Sequence, residues 1–127
     1  MSASADMRVG IDLVRISAIA ESLDHFGERF LHRVFTAAEV AYAMSAPPLA
    51  ASRLAARFAA KEATRKALRF DGIGWRDIEV VRQPDGACDI ALHGAARAMG
   101  GSHRLALSMS HEGDHATAVV IADRNRQ

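Results

Sequence analysis

The stretch Arg57-Phe58-Ala59-Ala60-Lys61-Glu62-Ala63-Thr64-Arg65-Lys66-Ala67-Leu68 admits one backbone form. Ala, Leu, Arg, Lys and Glu are strong helix formers, and neither Gly nor Pro interrupts the run. On a helix, Ala56, Ala59, Ala60, Ala63 and Ala67 fall within one arc of roughly 100°. An arc of methyl groups lets a neighbouring element approach the helix axis closely, so this helix is expected to organise the core. Glu62 and Lys66 stand at the i,i+4 spacing of a helix-surface ion pair. Arg57, Lys61 and Arg65 continue a basic stripe beside them. A carboxylate thus stands at the edge of a buried face among cations. By itself this is an ordinary solvated helix face, and the rest of the chain must decide whether it is more.

The chain has 127 residues, enough for one domain with a real core. Half of them are hydrophobic, which excludes general disorder. The net charge is +1, so global charge does not mark a nucleic-acid binder. The cations are clustered all the same: Arg53, Arg57, Lys61, Arg65, Lys66 and Arg69 share one predicted helix. Such a patch suits phosphates or an acidic partner. A single cysteine, Cys88, leaves no internal disulfide and no cysteine-based zinc site. Without a long apolar run or a signal-peptide pattern, no membrane partner is expected and a cytoplasmic protein is the default. Residues 1–6 read as a loose leader and residues 7–127 as one domain.

Apolar Val9, Ile11 and Leu13 alternate with Arg8, Gly10 and Asp12, which predicts a first strand over 7–14. Asp is disfavoured in strands, so Asp12 is either a turn residue or a ligand. Ser17 is a candidate N-cap for a helix through about His25, broken by Gly27. Thr36 and Glu39 form a capping box that starts a helix ending near Met44, and the box accounts for both residues structurally. Pro47-Pro48 breaks the chain before a long helix over about 49–70. Asp71-Gly72-Ile73-Gly74 is expected to stop it, and its glycines also allow backbone amides to approach a ligand. A hairpin over 78–92, a short helix over 93–99 and two strands over 103–110 and 115–122 complete the chain. The order describes an α+β domain with a mostly antiparallel sheet packed on a long helix.

Three places combine polar residues with apolar surroundings: Asp12, Glu62 with Lys61 and Lys66, and Ser108-Met109-Ser110-His111. Two carboxylates with few other ligands suit Mg²⁺, which keeps several waters and takes substrate phosphates. Flanking lysines then neutralise phosphate charge. His111 is either a phosphate contact or a surface turn histidine.

Gly10-Ile11-Asp12-Leu13-Val14, then Arg57-Phe58-Ala59-Ala60-Lys61-Glu62-Ala63 with Lys66-Ala67, then Ser108-Met109-Ser110-His111 with Ala116 and Ala118, resembles holo-acyl-carrier-protein synthase. That is the small, single-domain class of 4′-phosphopantetheinyl transferases. Phe35-Thr36, Glu39 and Gly72-Ile73-Gly74 also look like family features. The resemblance implies transfer of the phosphopantetheine arm of coenzyme A to a serine of an apo acyl carrier protein, with Mg²⁺ required and 3′,5′-ADP released. It implies Asp12 and Glu62 as metal ligands. Lys61 and Lys66 match phosphate-facing lysines, Arg53, Arg57 and Gly72 fall along the coenzyme, and His111 matches a histidine at the coenzyme site. Glu62, Lys66 and His111 are the candidate catalytic residues, the proton acceptor being Glu62 or a metal-bound water. The family also implies a homotrimer with active sites between subunits. One departure stands out. Relatives commonly carry an acidic residue three after the strand-end Asp and a basic residue three further on, where this chain has Arg15 and Ala18. The basic position belongs to the helix that meets the carrier protein, so the acceptor (a fatty-acid, polyketide or peptide carrier) is left open. The alternative function is a catalytically silent module that binds coenzyme A or a carrier protein.

Overall fold

A computed structural model describes residues 6–124. Of the expected leader, all but Asp6 lies outside the described residues. The elements are β1 (Met7–Arg15), α1 (Ile16–Phe26), α2 (Glu28–Val34), α3 (Ala37–Met44), α4 (Ala50–Leu68), β2 (Ile78–Arg82), β3 (Cys88–Leu92), α5 (Gly94–Gly100), β4 (His103–Glu112) and β5 (His115–Arg124). Three-residue 3-10 turns at Pro47–Leu49 and Trp75–Asp77 precede α4 and β2. The strands form two antiparallel sheets, one in the order β1-β5-β4 and the other the β2–β3 hairpin. This is the expected α+β domain.

The alanine arc of α4 does what its geometry requires. Ala59, Ala60, Ala63 and Ala67 are buried against Ala118, Val120 and Ala122 of β5. Gly10 of β1 lies so close that a Cβ there would overlap the Ala63 carbonyl and sit 2.8 Å from the Ala67 nitrogen. Small residues on both partners therefore bring the strand onto the helix backbone. A second core cluster gathers Ile19, Leu31, Val34, Phe35 and Leu54 where α1, α2 and α4 meet.

Two expected helix boundaries are corrected. The helix α1 begins after Arg15, and Ser17 is not its N-cap. Instead Asp114, in the tight β4–β5 turn, accepts from the Ser17 backbone N–H at 2.9 Å and from Ser17 Oγ at 2.6 Å. A carboxylate from a distant turn thus satisfies donors that a local cap ordinarily takes. The end of α4 is formed by Arg69 in the left-handed conformation, with the Phe70 N–H bonded to the Arg65 carbonyl. Gly72 follows with φ 74° inside the next turn.

The outer face of the three-stranded sheet stays bare. Met7, Val9, Ile11 and Leu13 project from it and are 59–66% exposed. Ile121 lies beside Val9, and Val119 beside Ile11, on the same face. No helix of the described chain is long and apolar enough to cross a membrane.

Candidate active site

The expected residues fall into two groups on different faces of α4. The first group faces β1. Asp12 lies on the helix-facing side of the strand, where Thr117 Oγ1 donates to its backbone carbonyl at 2.8 Å. Lys66 Nζ reaches across to Asp12 Oδ1 at 3.0 Å and to the Ile11 carbonyl at 2.9 Å. Glu62 is one helical turn before Lys66, yet its ion-pair partner is Arg65 at 3.6 Å. The predicted Glu62–Lys66 pair is therefore not formed, because Lys66 finds a better-oriented carboxylate on the strand. Burial raises the pKa of Glu62, and the neighbouring negative charge of Asp12 raises it further. Two carboxylates that repel each other this way form a site a small cation relieves. Among the described residues, no set of three or more His, Cys, Asp or Glu side chains is placed to hold a metal. Mg²⁺ asks for less: one or two carboxylates, with waters and substrate phosphates completing its shell. The hard-oxygen pair Asp12 and Glu62 fits that ion.

The second group lines a cleft of about 340 Å³ between α3, α4, the β2–β3 hairpin and the end of β4. Arg53 and Arg57 come from α4, Arg82 from β2, Tyr42 from α3 and His111 from β4. Arg57 is buried, and burial lowers its pKa. Among the described residues none of the three arginines has a carboxylate ion-pair partner. A concave site with unpaired cations in its wall has the character of an anion receptor. Arg57 and Glu62 stand about 140° apart around α4, and Arg57 and Lys66 about 180°, at roughly 100° per residue. One chain therefore turns its arginine cleft away from its own carboxylate pair.

Lys61 belongs to neither group, and its expected phosphate-facing role is corrected here. It is fully buried, with Nζ 2.8 Å from Glu39 Oε1. It also donates to the carbonyls of Trp75 and Ile78. Burial pushes its pKa down, and the Glu39 carboxylate pulls it back. Glu39 in turn does more than its capping box. One oxygen accepts from the Thr36 N–H at 2.8 Å and the other from the Val80 N–H at 2.7 Å. The Lys61–Glu39 pair thus ties α3, α4 and β2 together, and those are three walls of the arginine cleft. Gly72 does not line that cleft. Its turn is tethered further along the helix, where Arg65 donates to the Ile73 carbonyl.

Sequence reasoning missed Tyr42 and Arg82. Nothing local marks either one, since each reaches the cleft only through the packing of α3 and the hairpin on α4.

The model for the 4′-phosphopantetheinyl transferase superfamily matches residues 8–120. The chain belongs to that superfamily. A holo-[acyl-carrier-protein] synthase of Paramagnetospirillum magneticum is 47% identical over 123 residues, covering 91% of this chain and 94% of the relative. One of Koribacter versatilis is 43% identical over 120 residues, covering 90% and 95%. Among solved structures, the Chronobacterium ammoniagenes ACPS–CoA complex is similar with a TM-score of 0.82 at 33% identity, covering 94% of this chain and 98% of that one. The Helicobacter pylori holo-[acyl-carrier-protein] synthase in complex with coenzyme A gives 0.80 at 30% identity, covering 91% and 99%.

Proposed function

We infer that this chain transfers the 4′-phosphopantetheine group of coenzyme A to a serine of an apo acyl carrier protein. The observation that carries this reading is the division of phosphate-binding groups into a carboxylate–lysine cluster and an arginine cleft. It is made in a chain whose relatives are holo-[acyl-carrier-protein] synthases over nine-tenths of its length. The serine oxygen attacks the β-phosphorus of coenzyme A. The bond from that phosphorus to the bridging oxygen breaks, and 3′,5′-ADP departs with the electron pair. Lys66 lies beside Asp12 and sets a positive charge against the phosphates. Glu62 is the candidate acceptor among these side chains for the serine proton. Asp12 and Glu62 are the side chains that would hold Mg²⁺, which when bound spreads the negative charge of the pyrophosphate. Arg53, Arg57, Arg82 and His111 receive the nucleotide end of the donor.

The two groups face apart on α4, which argues against one coenzyme touching both within a single chain. The site is then shared between copies of the chain, each giving its arginine cleft and His111 to a neighbour's carboxylate pair. The bare face of Met7, Val9, Ile11 and Leu13 supplies the apolar surface such an assembly needs, and a trimer is the form we propose. The carrier protein is expected to be acidic around its serine. Arg15, exposed at the junction of β1 and α1, and Arg29 with Arg33, exposed on α2, are the cations placed to meet it.

Intact-mass measurement of an apo carrier protein incubated with the chain, coenzyme A and Mg²⁺ tests the reaction. A covalent gain of one phosphopantetheine on the serine is expected. Coenzyme A or carrier binding without any mass gain would favour the silent binding module instead. A panel of fatty-acid, polyketide and peptide carriers then identifies the acceptor.

A further inference from the structure

The arginine cleft has an unusual centre. Tyr42, the chain's only tyrosine, carries three guanidinium groups around its ring. Arg53 Cζ is 4.2 Å from the ring centroid, Arg57 Cζ 4.6 Å and Arg82 Cζ 5.0 Å. These cations come from two different elements and repel one another; the charge of Arg53 alone helps lower the pKa of Arg57, behind the larger effect of burial. No carboxylate among the described residues forms an ion pair with any of them. Attractions of two kinds offset the repulsion. One is the electron-rich face of the ring. The other is hydrogen bonding: Arg53 Nη1 donates to the Tyr42 carbonyl at 2.9 Å and to Ser45 Oγ at 3.1 Å, and Arg57 donates to the Arg53 carbonyl at 3.3 Å and to Cys88 Sγ at 3.9 Å. Tyr42 itself is fixed on α3, which the buried Glu39–Lys61 pair fastens to α4.

We propose that Tyr42 is a positioning residue for coenzyme recognition: its ring gathers Arg53, Arg57 and Arg82 into one receptor for a phosphate monoester. This rests on the transferase reading above for the identity of the ligand. A phosphate monoester is the one group of coenzyme A that brings a nearly doubly charged anion with three free oxygens. It is borne by the 3′-carbon of the ribose, at the end of the molecule away from the reacting phosphorus. Three guanidiniums held around one ring match that charge and number of acceptors. The pyrophosphate belongs with Asp12, Glu62 and Lys66 on the other face of the helix. Tyr42 therefore sets affinity for the 3′-phosphate without touching the chemistry.

The test uses the full chain and the variants Tyr42→Phe and Tyr42→Leu. Phe keeps the ring face and loses only the hydroxyl; Leu keeps an apolar filler and loses the face. Tyr42→Leu is expected to raise KM for coenzyme A about tenfold, the sum of modest cation–π contacts. KM for dephospho-coenzyme A, which lacks the 3′-phosphate, is expected to change less than about twofold, with kcat held and Tyr42→Phe close to wild type. Equal rises for both donors, an unchanged KM for coenzyme A, or a Phe variant as poor as Leu would overturn the proposal. A second measurement needs no variant and no turnover. Protein carrying ring-labelled tyrosine gives the nuclear magnetic resonance signals of Tyr42 alone. Adenosine 3′,5′-bisphosphate should shift them at concentrations where adenosine 5′-phosphate does not. No shift, or equal shifts, would refute the receptor. A shift in a protein that never modifies a carrier would leave the receptor standing and remove the transferase reading.

Discussion

Asp12 and Glu62 behave as two like charges held together, and their substitution separates function from stability. Asp12→Asn and Glu62→Gln each keep shape and lose a charge, so each is expected to abolish most transfer while the fold remains. Glu62→Gln should melt no lower than wild type without metal, because burial first and the Asp12 charge second disfavour the charge removed. A clear drop in melting temperature with near-normal transfer at limiting Mg²⁺ would show Glu62 to be only a partner for Arg65. Lys61 is the opposite case. Lys61→Met leaves Glu39 buried without its cation, which is expected to cost about 3–5 kcal/mol in denaturant unfolding. If Lys61→Met lost transfer with its unfolding free energy intact, the residue would have a direct role after all. The sequence placed Lys61 on a basic stripe because spacing reports direction around a helix, not what waits on the other side. Only the packing of α3 and β2 reveals that the stripe is interrupted by a buried ion pair.

The elements are held by contacts that periodicity does not encode. Glu79 on β2 accepts from Thr36 Oγ1 at 2.7 Å and lies 2.9 Å from His93 Nε2, joining the hairpin to the start of α3 and to the approach to α5. Burial pushes the Glu79 pKa up, but the hydrogen bonds from Thr36 and His93 outweigh it and hold the pKa below its ordinary 4.5. A carboxylate with a lowered folded pKa stabilises the fold above its unfolded value and loses that contribution as pH falls through the folded one. Glu79→Gln is therefore expected to cost about 1 kcal/mol at neutral pH, with the gap to wild type closing in acid below about 4.5. A gap that persisted at low pH would assign the effect to packing instead. Helices α3 and α4, the hairpin and the alternation of β1 were legible, since each follows from caps, propensity or period. The approach of β1 to α4 was legible only in part. The alanine arc announced a close neighbour, but Gly10 as that neighbour required the register of β1 on β5. The capping of α1 by Asp114 could not be read at all, because the partner is 97 residues away. Arg15, exposed beside that contact, is the cation proposed above to meet the carrier protein. Arg15→Glu should weaken use of the carrier most steeply at low salt while KM for coenzyme A barely moves. Carrier kinetics unchanged across a salt series would move the docking surface to Arg29 and Arg33.

At the scale of the molecule, the candidate site is divided by its own central helix. A face carrying Met7, Val9, Ile11 and Leu13 is a poor surface for a lone chain and a good one for an assembly. β1 contributes most of the exposed apolar side chains of that face, and Ile121 of β5 adds to them. Sedimentation is expected to give a trimer, and Ile11→Glu to give inactive smaller species. An active monomer at working concentration would contradict the shared site. The most direct measurement co-expresses two defective chains, Glu62→Gln and Arg57→Gln, and reads the intact mass of an apo carrier protein given coenzyme A and Mg²⁺. Each chain alone is expected to add little or no phosphopantetheine. Mixed trimers pair an intact carboxylate group with an intact cleft, so the account predicts that the mixture recovers a substantial part of wild-type transfer. Mixed trimers seen by native mass spectrometry and yet as inactive as either parent would contradict it.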